Sequence, residues 1–196
     1  NFIPKDMTIQ DFGVSYEELE PFFDYAEKVF GTSGQAWTVN GQRVGEGKGG
    51  NPYAPDRSDH FPLVSQKNTY SAQLFQKAAN EVGYKPYNLP SANTSGPYTN
   101  PYGAQMGPCN FCGFCSGYVC YMYSKASPNV NILPALKPLP NFELRPNAHV
   151  IRVNLDSTKT KATGVTYIDA LGREIEQQAD LVILGAFQFH NVRLML

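Results

Sequence analysis

The chain has 196 residues and a formal net charge of -1; 42% of the residues are hydrophobic, 13% aromatic and 17% charged. At about 150 residues per domain this is one domain or two small ones, long enough to bury about 70% of its unfolded surface and so to form a core. The balanced charge excludes a nucleic-acid footprint and a polybasic anchor, the aromatic content excludes a disordered tail, and no apolar run nears the roughly 18 residues of a membrane-spanning helix.

The opening Asn1 to Asp6 has neither an initiator Met nor a signal-peptide pattern, which leads to the expectation of a chain cut from something larger. A capping box, Ser15 with Glu18 three residues on, starts the first predicted helix. Leu19, Phe22, Phe23, Ala26, Val29 and Phe30 recur at helical spacing, and Gly31 supplies the stop. Pro21 should shorten the first turn and force a restart near Glu20. Glu17, Glu18, Glu20, Asp24 and Glu27 read as the wet face of this helix. From Thr32 to Asn68 the periodicity is lost and a loop is expected. Thr69 to Val82 is helical again, with Leu74, Phe75, Ala78, Ala79 and Val82 on one face and Gly83 as the stop. Five prolines make residues 84 to 108 another loop. Ser127-Pro128 opens one brief helix that ends before Pro138. Ala148 to Leu155 and Thr163 to Ile168 alternate as strands, Gly172 suits a hairpin turn, and Arg173 to Gln177 returns. Leu181 to Leu184, closed by Gly185, reads as a strand buried on both faces of a parallel or mixed sheet.

All four cysteines fall between Cys109 and Cys120. Cys109-x-x-Cys112 and Cys112-x-x-Cys115, followed by a longer step to Cys120, suit an iron–sulfur cluster better than zinc, whose thiolates usually split into two distant knuckles. Two disulfides stapling the loop are the structural alternative. Gly45-x-Gly47-x-x-Gly50 matches a dinucleotide fingerprint by letter only. Asn51-Pro52 follows and no helix begins there, so it reads as a flexible loop. His60, His149 and His190 lie far apart outside any nucleophile or metal motif, and structural roles are expected of them.

The segments Asp11–Asp24, Gly31–Gly34, Cys112–Cys115, Ser124–Pro128, Asn141–Arg145, Ala179–Gln188 and Asn191–Leu194 together resemble the glucose-methanol-choline family of flavin-dependent alcohol oxidoreductases, in its branch of sugar and sugar-acid dehydrogenases. The resemblance implies an α+β fold. Part of an FAD-binding domain, a mixed sheet with a β-hairpin, would join a loop-rich helical segment of the substrate domain. The expected divisions are 1–108 (loop-rich and helical), 109–140 (cysteine-rich) and 141–196 (strand-rich, FAD-binding). Val150, by its main chain, and the turn at Gly185 and Ala186 would approach the adenine end of FAD, where bulk would exclude the ligand.

By the same resemblance, Cys112, Cys115 and Cys120 would hold a trinuclear (3Fe-4S) cluster, with Cys109 spare. The implied reaction is oxidation of a CH–OH group of a sugar, polyol or aldonate, with electrons passing from flavin through the cluster to a cytochrome. A small subunit and a c-type cytochrome subunit are the implied partners, on the periplasmic side of the inner membrane and peripheral to it. The family's dinucleotide fingerprint would precede this segment and its catalytic His and His or Asn would follow it, so no catalytic residue is identified and the chain alone is expected to be inactive. An apolar run ending Arg193 to Leu196 suggests self-association. Two other classes remain: an iron–sulfur electron-transfer module without flavin, and a disulfide-stapled non-catalytic domain.

Overall fold

A computed structural model describes residues 5–8 and 13–196. Asn1 to Pro4, and Asp11 and Phe12 at the head of the first resemblance segment, lie outside the described residues. The chain forms two compact units, Asn1–Phe142 and Glu143–Leu196. The elements are helices and small antiparallel sheets, an α+β arrangement.

In the first unit, α1 (Tyr16–Phe30) begins at the predicted capping box: the Glu18 amide donates to the Ser15 hydroxyl at 3.2 Å, and the Ser15 amide to the Glu18 carboxylate at 2.7 Å. Gly31 ends it in the left-handed region at φ 65°, and a Cβ there would lie 2.7 Å from the Tyr98 ring, so both conformation and space require glycine. The expected restart near Glu20 does not occur. Pro21 sits inside a continuous helix, because the carbonyl its ring crowds belongs to Glu17 in the first turn, where the backbone has room to tilt outward.

Glu17 and Glu18 are exposed on the expected wet face of α1, but Glu20, Asp24 and Glu27 depart from it. Glu20 is buried and accepts from the Ser58 amide at 2.9 Å and the Ser58 hydroxyl at 3.0 Å. Asp24 and Glu27 meet Arg57, and Lys28 bridges Asp24 at 2.8 Å and Asp59 at 2.9 Å. The cause is tertiary: the 56–59 stretch folds onto this face and supplies the partners that buried carboxylates require.

That stretch belongs to the loop between α1 and α2, which contains a two-residue ribbon, β1 (Thr38–Val39) with β2 (Gln42–Arg43). Helix α2 (Tyr70–Glu81) is capped by Thr69, whose hydroxyl accepts from Ala72. Of its predicted apolar face only Ala79 is buried; Leu74, Phe75 and Val82 are exposed, since no described element packs over them. A second ribbon, β3 (Tyr98–Thr99) with β4 (Gln105–Met106), follows. The brief helix expected after Ser127 is two single turns, α3 (Pro128–Asn131) and α4 (Leu133–Leu136), broken at Ile132. Pro134 explains the break, because it lacks the amide that would bond Val130 and its ring crowds that carbonyl.

The core is small and unusually polar. Val29, Ala36, Val39, Ala79, Ala104 and Met106 are its buried apolar residues, and Thr32, Ser33, Thr94, Asn100, Ser124 and Asn131 are buried with them. Ser33, Thr94 and Asn100 meet this burial with side-chain to backbone bonds, whereas both polar atoms of the Asn131 side chain are buried without a partner among the described residues. The Ser33 hydroxyl donates to the Asn93 carbonyl at 2.7 Å and accepts from the Ser95 amide at 2.8 Å; the Thr94 hydroxyl donates to the Gly107 carbonyl at 2.5 Å.

The second unit is a meander of β5 (His149–Leu155), β6 (Ala162–Ile168) and β7 (Glu174–Gln178), followed by α5 (Phe187–Met195). The strands stand where alternation placed them, and the predicted hairpin closes at Asp169 to Arg173, with the Gly172 amide donating to the Asp169 carbonyl at 3.0 Å. The expected mixed sheet is corrected: both pairings are antiparallel, as short connections between successive strands dictate. Leu181 to Leu184 is not a strand. Val182 and Leu184 are half-buried while Leu181 is 75% and Ile183 82% exposed, so the segment keeps an extended alternation but has no ladder partner among the described residues.

Candidate functional site

In the second unit, β5 and α5 enclose a cavity of about 250 Å³ lined by Ala148, His149, Val150, Ile151, Ala186, His190, Arg193 and Leu194. Two of the three residues singled out for FAD, Val150 and Ala186, thus face the same space, and Gly185 adjoins it in the chain. The volume is below the roughly 300–1,000 Å³ of a pocket for a whole ligand, so it suits one end of a larger molecule.

The turn entering α5 is held by one side chain. Asn191 accepts from the Ala186 amide at 2.9 Å and donates to the Leu184 carbonyl at 3.3 Å. Immediately after these anchors Phe187 takes φ 65°, an outlier for a bulky residue. Gly185 has no positive φ, and a Cβ built on it meets nothing within 4 Å. Nothing inside the described chain therefore demands glycine there.

His149 and His190, expected to serve separately, line this one cavity with Arg193. Sequence reading missed them because they are 41 residues apart and meet only once β5 and α5 are assembled. A signal was present: His190 and Arg193 are three apart on one helix and so share a face.

The cysteine segment lies in the first unit. Its base is closed by Thr94 and Ser124, whose hydroxyls meet at 3.0 Å, and by the Thr94 amide donating to the Ser124 carbonyl at 3.1 Å. Lys125 braces the loop from within, donating to the Cys115 carbonyl at 2.7 Å and to the Tyr118 carbonyl at 3.3 Å. Phe111, Gly113 and Gly117 all have positive φ, so the chain turns repeatedly between the cysteines.

All four thiols are free, and among the described residues no group of three or more His, Cys, Asp or Glu is placed to hold a metal ion. The structure thus does not bring Cys112, Cys115 and Cys120 together as a ligand trio, and the donor set as folded does not fit a cluster.

Cys120 is distinguished from its neighbours. Burial pushes its thiol up, but the Lys125, Ser124 and Met122 backbone amides and the Lys125 charge outweigh this, and the net direction is down. Alkylation by iodoacetamide, followed by peptide mass spectrometry, should therefore label Cys120 with a rate profile centred below the ordinary thiol range. Lys125→Met should move that profile upward; an unmoved profile would remove the lysine from the cause.

No protein-family model matches the chain. Its relatives nonetheless bear out the resemblance its segments carry to flavoprotein dehydrogenases and oxidases. The gluconate 2-dehydrogenase flavoprotein of Pantoea cypripedii is 76% identical over all 196 residues, and the chain spans 32% of that relative's length. The fructose dehydrogenase large subunit of Gluconobacter japonicus is 28% identical over 104 residues, 50% of this chain and 17% of the relative. Paromamine 6'-oxidase of Streptomyces fradiae is 28% identical over 157 residues, 80% of this chain and 24% of the relative. Among the described residues no helix is long and apolar enough to cross a membrane.

Proposed function

We propose that the chain forms part of an FAD-dependent oxidoreductase that oxidises a CH–OH group of a sugar, polyol or aldonate. The observation that carries this reading is 76% identity, over every residue, to a flavoprotein that spans about three times the chain's length. The cavity between β5 and α5 supports it, because Val150 and Ala186 line one space and Gly185 is glycine without an internal reason.

In this reading the second unit is part of the FAD-binding domain. The β5 main chain at Val150 meets the adenine end of the cofactor, and the small residues at Gly185 and Ala186 let the backbone approach it. Asn191 holds that turn in place before the ligand arrives, and His190 and Arg193 offer donors from α5. The flavin, when bound, supplies the hydride acceptor. Cys112, Cys115 and Cys120 take no part in this reading, since as folded they do not converge. A small subunit and a c-type cytochrome subunit at the periplasmic face complete the proposed electron path. The exposed Phe189, Met195 and Leu196 accord with self-association of the chain on its own.

The test is flavin content. The full-length protein with Ala186→Leu or Gly185→Val should purify with most of its flavin absorbance lost and its fold retained by circular dichroism. Full flavin occupancy in both variants would refute the placement.

A further inference from the structure

The glycine-rich stretch that fails as a dinucleotide fingerprint forms one wall of a second cavity, in the first unit. The space measures about 610 Å³ and is lined by Trp37, Arg43, the 45–50 loop, Pro52, Gln76, Asn80, Lys85 and Pro86. This volume lies within the range of about 300–1,000 Å³ typical of small-molecule sites.

Backbone hydrogen bonds tie its walls together. The Val44 and Gly45 amides donate to the Trp37 carbonyl at 2.9 and 3.1 Å, and the Asn88 amide donates to the Gly49 carbonyl at 2.9 Å, tying the segment after α2 to the loop. A Cβ on Gly45 would lie 2.4 Å from the Ala36 carbonyl oxygen, so the chain cannot close there without glycine. The Lys48 and Gly50 amides are spent on the Gly45 carbonyl at 3.1 and 3.3 Å. The loop therefore offers no row of free amides to a phosphate, and recognition falls to side chains.

Those side chains have a definite chemistry. Gln76 and Asn80, four apart on α2, present two amides on one face, and among the described residues neither makes a side-chain hydrogen bond. Arg43 and Lys85 bring two cations against one lining carboxylate, Glu46, which reaches Arg43 only at 3.7 Å with both side chains largely exposed. The Trp37 ring adds an apolar wall, with the Arg43 guanidinium 5.5 Å from its centroid. Two cations, two donor–acceptor amides and one aromatic plane suit a small molecule with one carboxylate, several hydroxyls and a C–H face.

We propose that this cavity binds a polyhydroxylated carboxylate of sugar-acid size: Arg43 and Lys85 take the carboxylate, Gln76 and Asn80 take hydroxyls, and Trp37 takes the carbon skeleton. All five residues belong to the first unit, and the residues assigned to flavin belong to the second.

Trp37 is the single tryptophan of the chain, so its fluorescence reports on this cavity directly. The 196-residue chain, without flavin, would be titrated with D-gluconate, with neutral sorbitol and with acetate. Gluconate should give a saturable fluorescence change that sorbitol and acetate do not match at equal concentration. Arg43→Gln with Lys85→Gln should weaken gluconate by about tenfold or more, the scale of one charge-assisted hydrogen bond, and Gln76→Leu with Asn80→Leu should also weaken it. All four positions line an open cleft, so circular dichroism should be unchanged. A flat gluconate titration, equal binding of acetate or sorbitol, or equal weakening by Lys159→Gln in the second unit would overturn the proposal. Loss of flavin from the Ala186→Leu protein would leave it untouched.

Discussion

Replacing Asn100 with Leu should lower the free energy of unfolding by about 3–5 kcal/mol, since it orphans two buried carbonyls and two amides at about 1–3 kcal/mol each, less what relaxation recovers. Asn100 is only 4% exposed and spends its whole amide. Its nitrogen donates to the Val29 carbonyl at 3.0 Å and the Asn131 carbonyl at 2.8 Å, while its oxygen accepts from the Tyr102 amide at 3.0 Å and the Ala104 amide at 2.9 Å. One side chain thus joins the end of α1, the β3–β4 ribbon and the end of α3. Asn100→Asp is the sharper variant, because an ionised carboxylate would point an acceptor at two carbonyl oxygens. The introduced carboxyl should hold its proton in the folded state, so its folded pKa is raised; the variant's loss of stability relative to the wild type should be smallest in acid and grow as pH rises. Urea unfolding followed by circular dichroism at several pH values checks this. A variant equally stable across that range would show that the amide is not the joint.

Arg57→Met is expected to cost about 2–4 kcal/mol, somewhat below the 3–5 kcal/mol of breaking a fully buried ion pair, because the site is partly wet. The Arg57 side chain is 10% exposed and those of Asp24 and Glu27 13% and 23%. The guanidinium pairs with both Glu27 oxygens, reaches Asp24 at 3.9 Å, donates to the Asp59 carbonyl at 3.1 Å and lies 4.0 Å from the Phe61 ring centroid. Methionine retains the stem but leaves Glu27 without a cation, whereas Asp24 keeps Lys28. Arg57→Lys should recover only part of the loss, since one ammonium cannot span both carboxylates and the ring. Acid acts in the same sense at the rim of this network. Hydrogen bonds from Lys28 and the His60 amide hold Asp59 below the usual carboxylate range, so its contribution is present above that range and is lost as pH falls through the folded value. An Arg57→Met midpoint in urea within error of the wild type would contradict this account.

Most of what depended on neighbours in sequence was legible. The Ser15 capping box, the Gly31 stop, the second helix near 69–82 and the 169–173 hairpin are set by a few adjacent residues, and the structure holds them where spacing put them. The unbroken helix through Pro21 and the break before Pro134 departed from expectation for local reasons; the other departures depended on distant partners. Glu20, Asp24 and Glu27 look like a solvated stripe until the 56–59 segment brings Ser58 and Arg57 to them. Leu181 to Leu184 has the apolarity of a central strand, but a strand is made by its ladder, and none is offered among the described residues. The polar core at Ser33, Thr94 and Asn100 was hidden for the same reason: these residues favour loops in any sequence, and only tertiary contacts turn them into buried joints. At the candidate site, Val150 and Ala186 came from resemblance, while His149, His190 and Arg193 required the packing of α5 on β5. The cysteine spacing pointed to convergent thiolates, and the positive-φ turns at Phe111, Gly113 and Gly117 show how a compact sequence cluster need not converge in space.

The most direct test is an anaerobic half-reaction of the full-length protein containing this chain. Its visible spectrum should show bound oxidised flavin, and adding D-gluconate without any electron acceptor should bleach that absorbance. Bound flavin that stays oxidised with gluconate and with neutral sugars and polyols alike, or protein that folds without binding flavin, would contradict the proposed function.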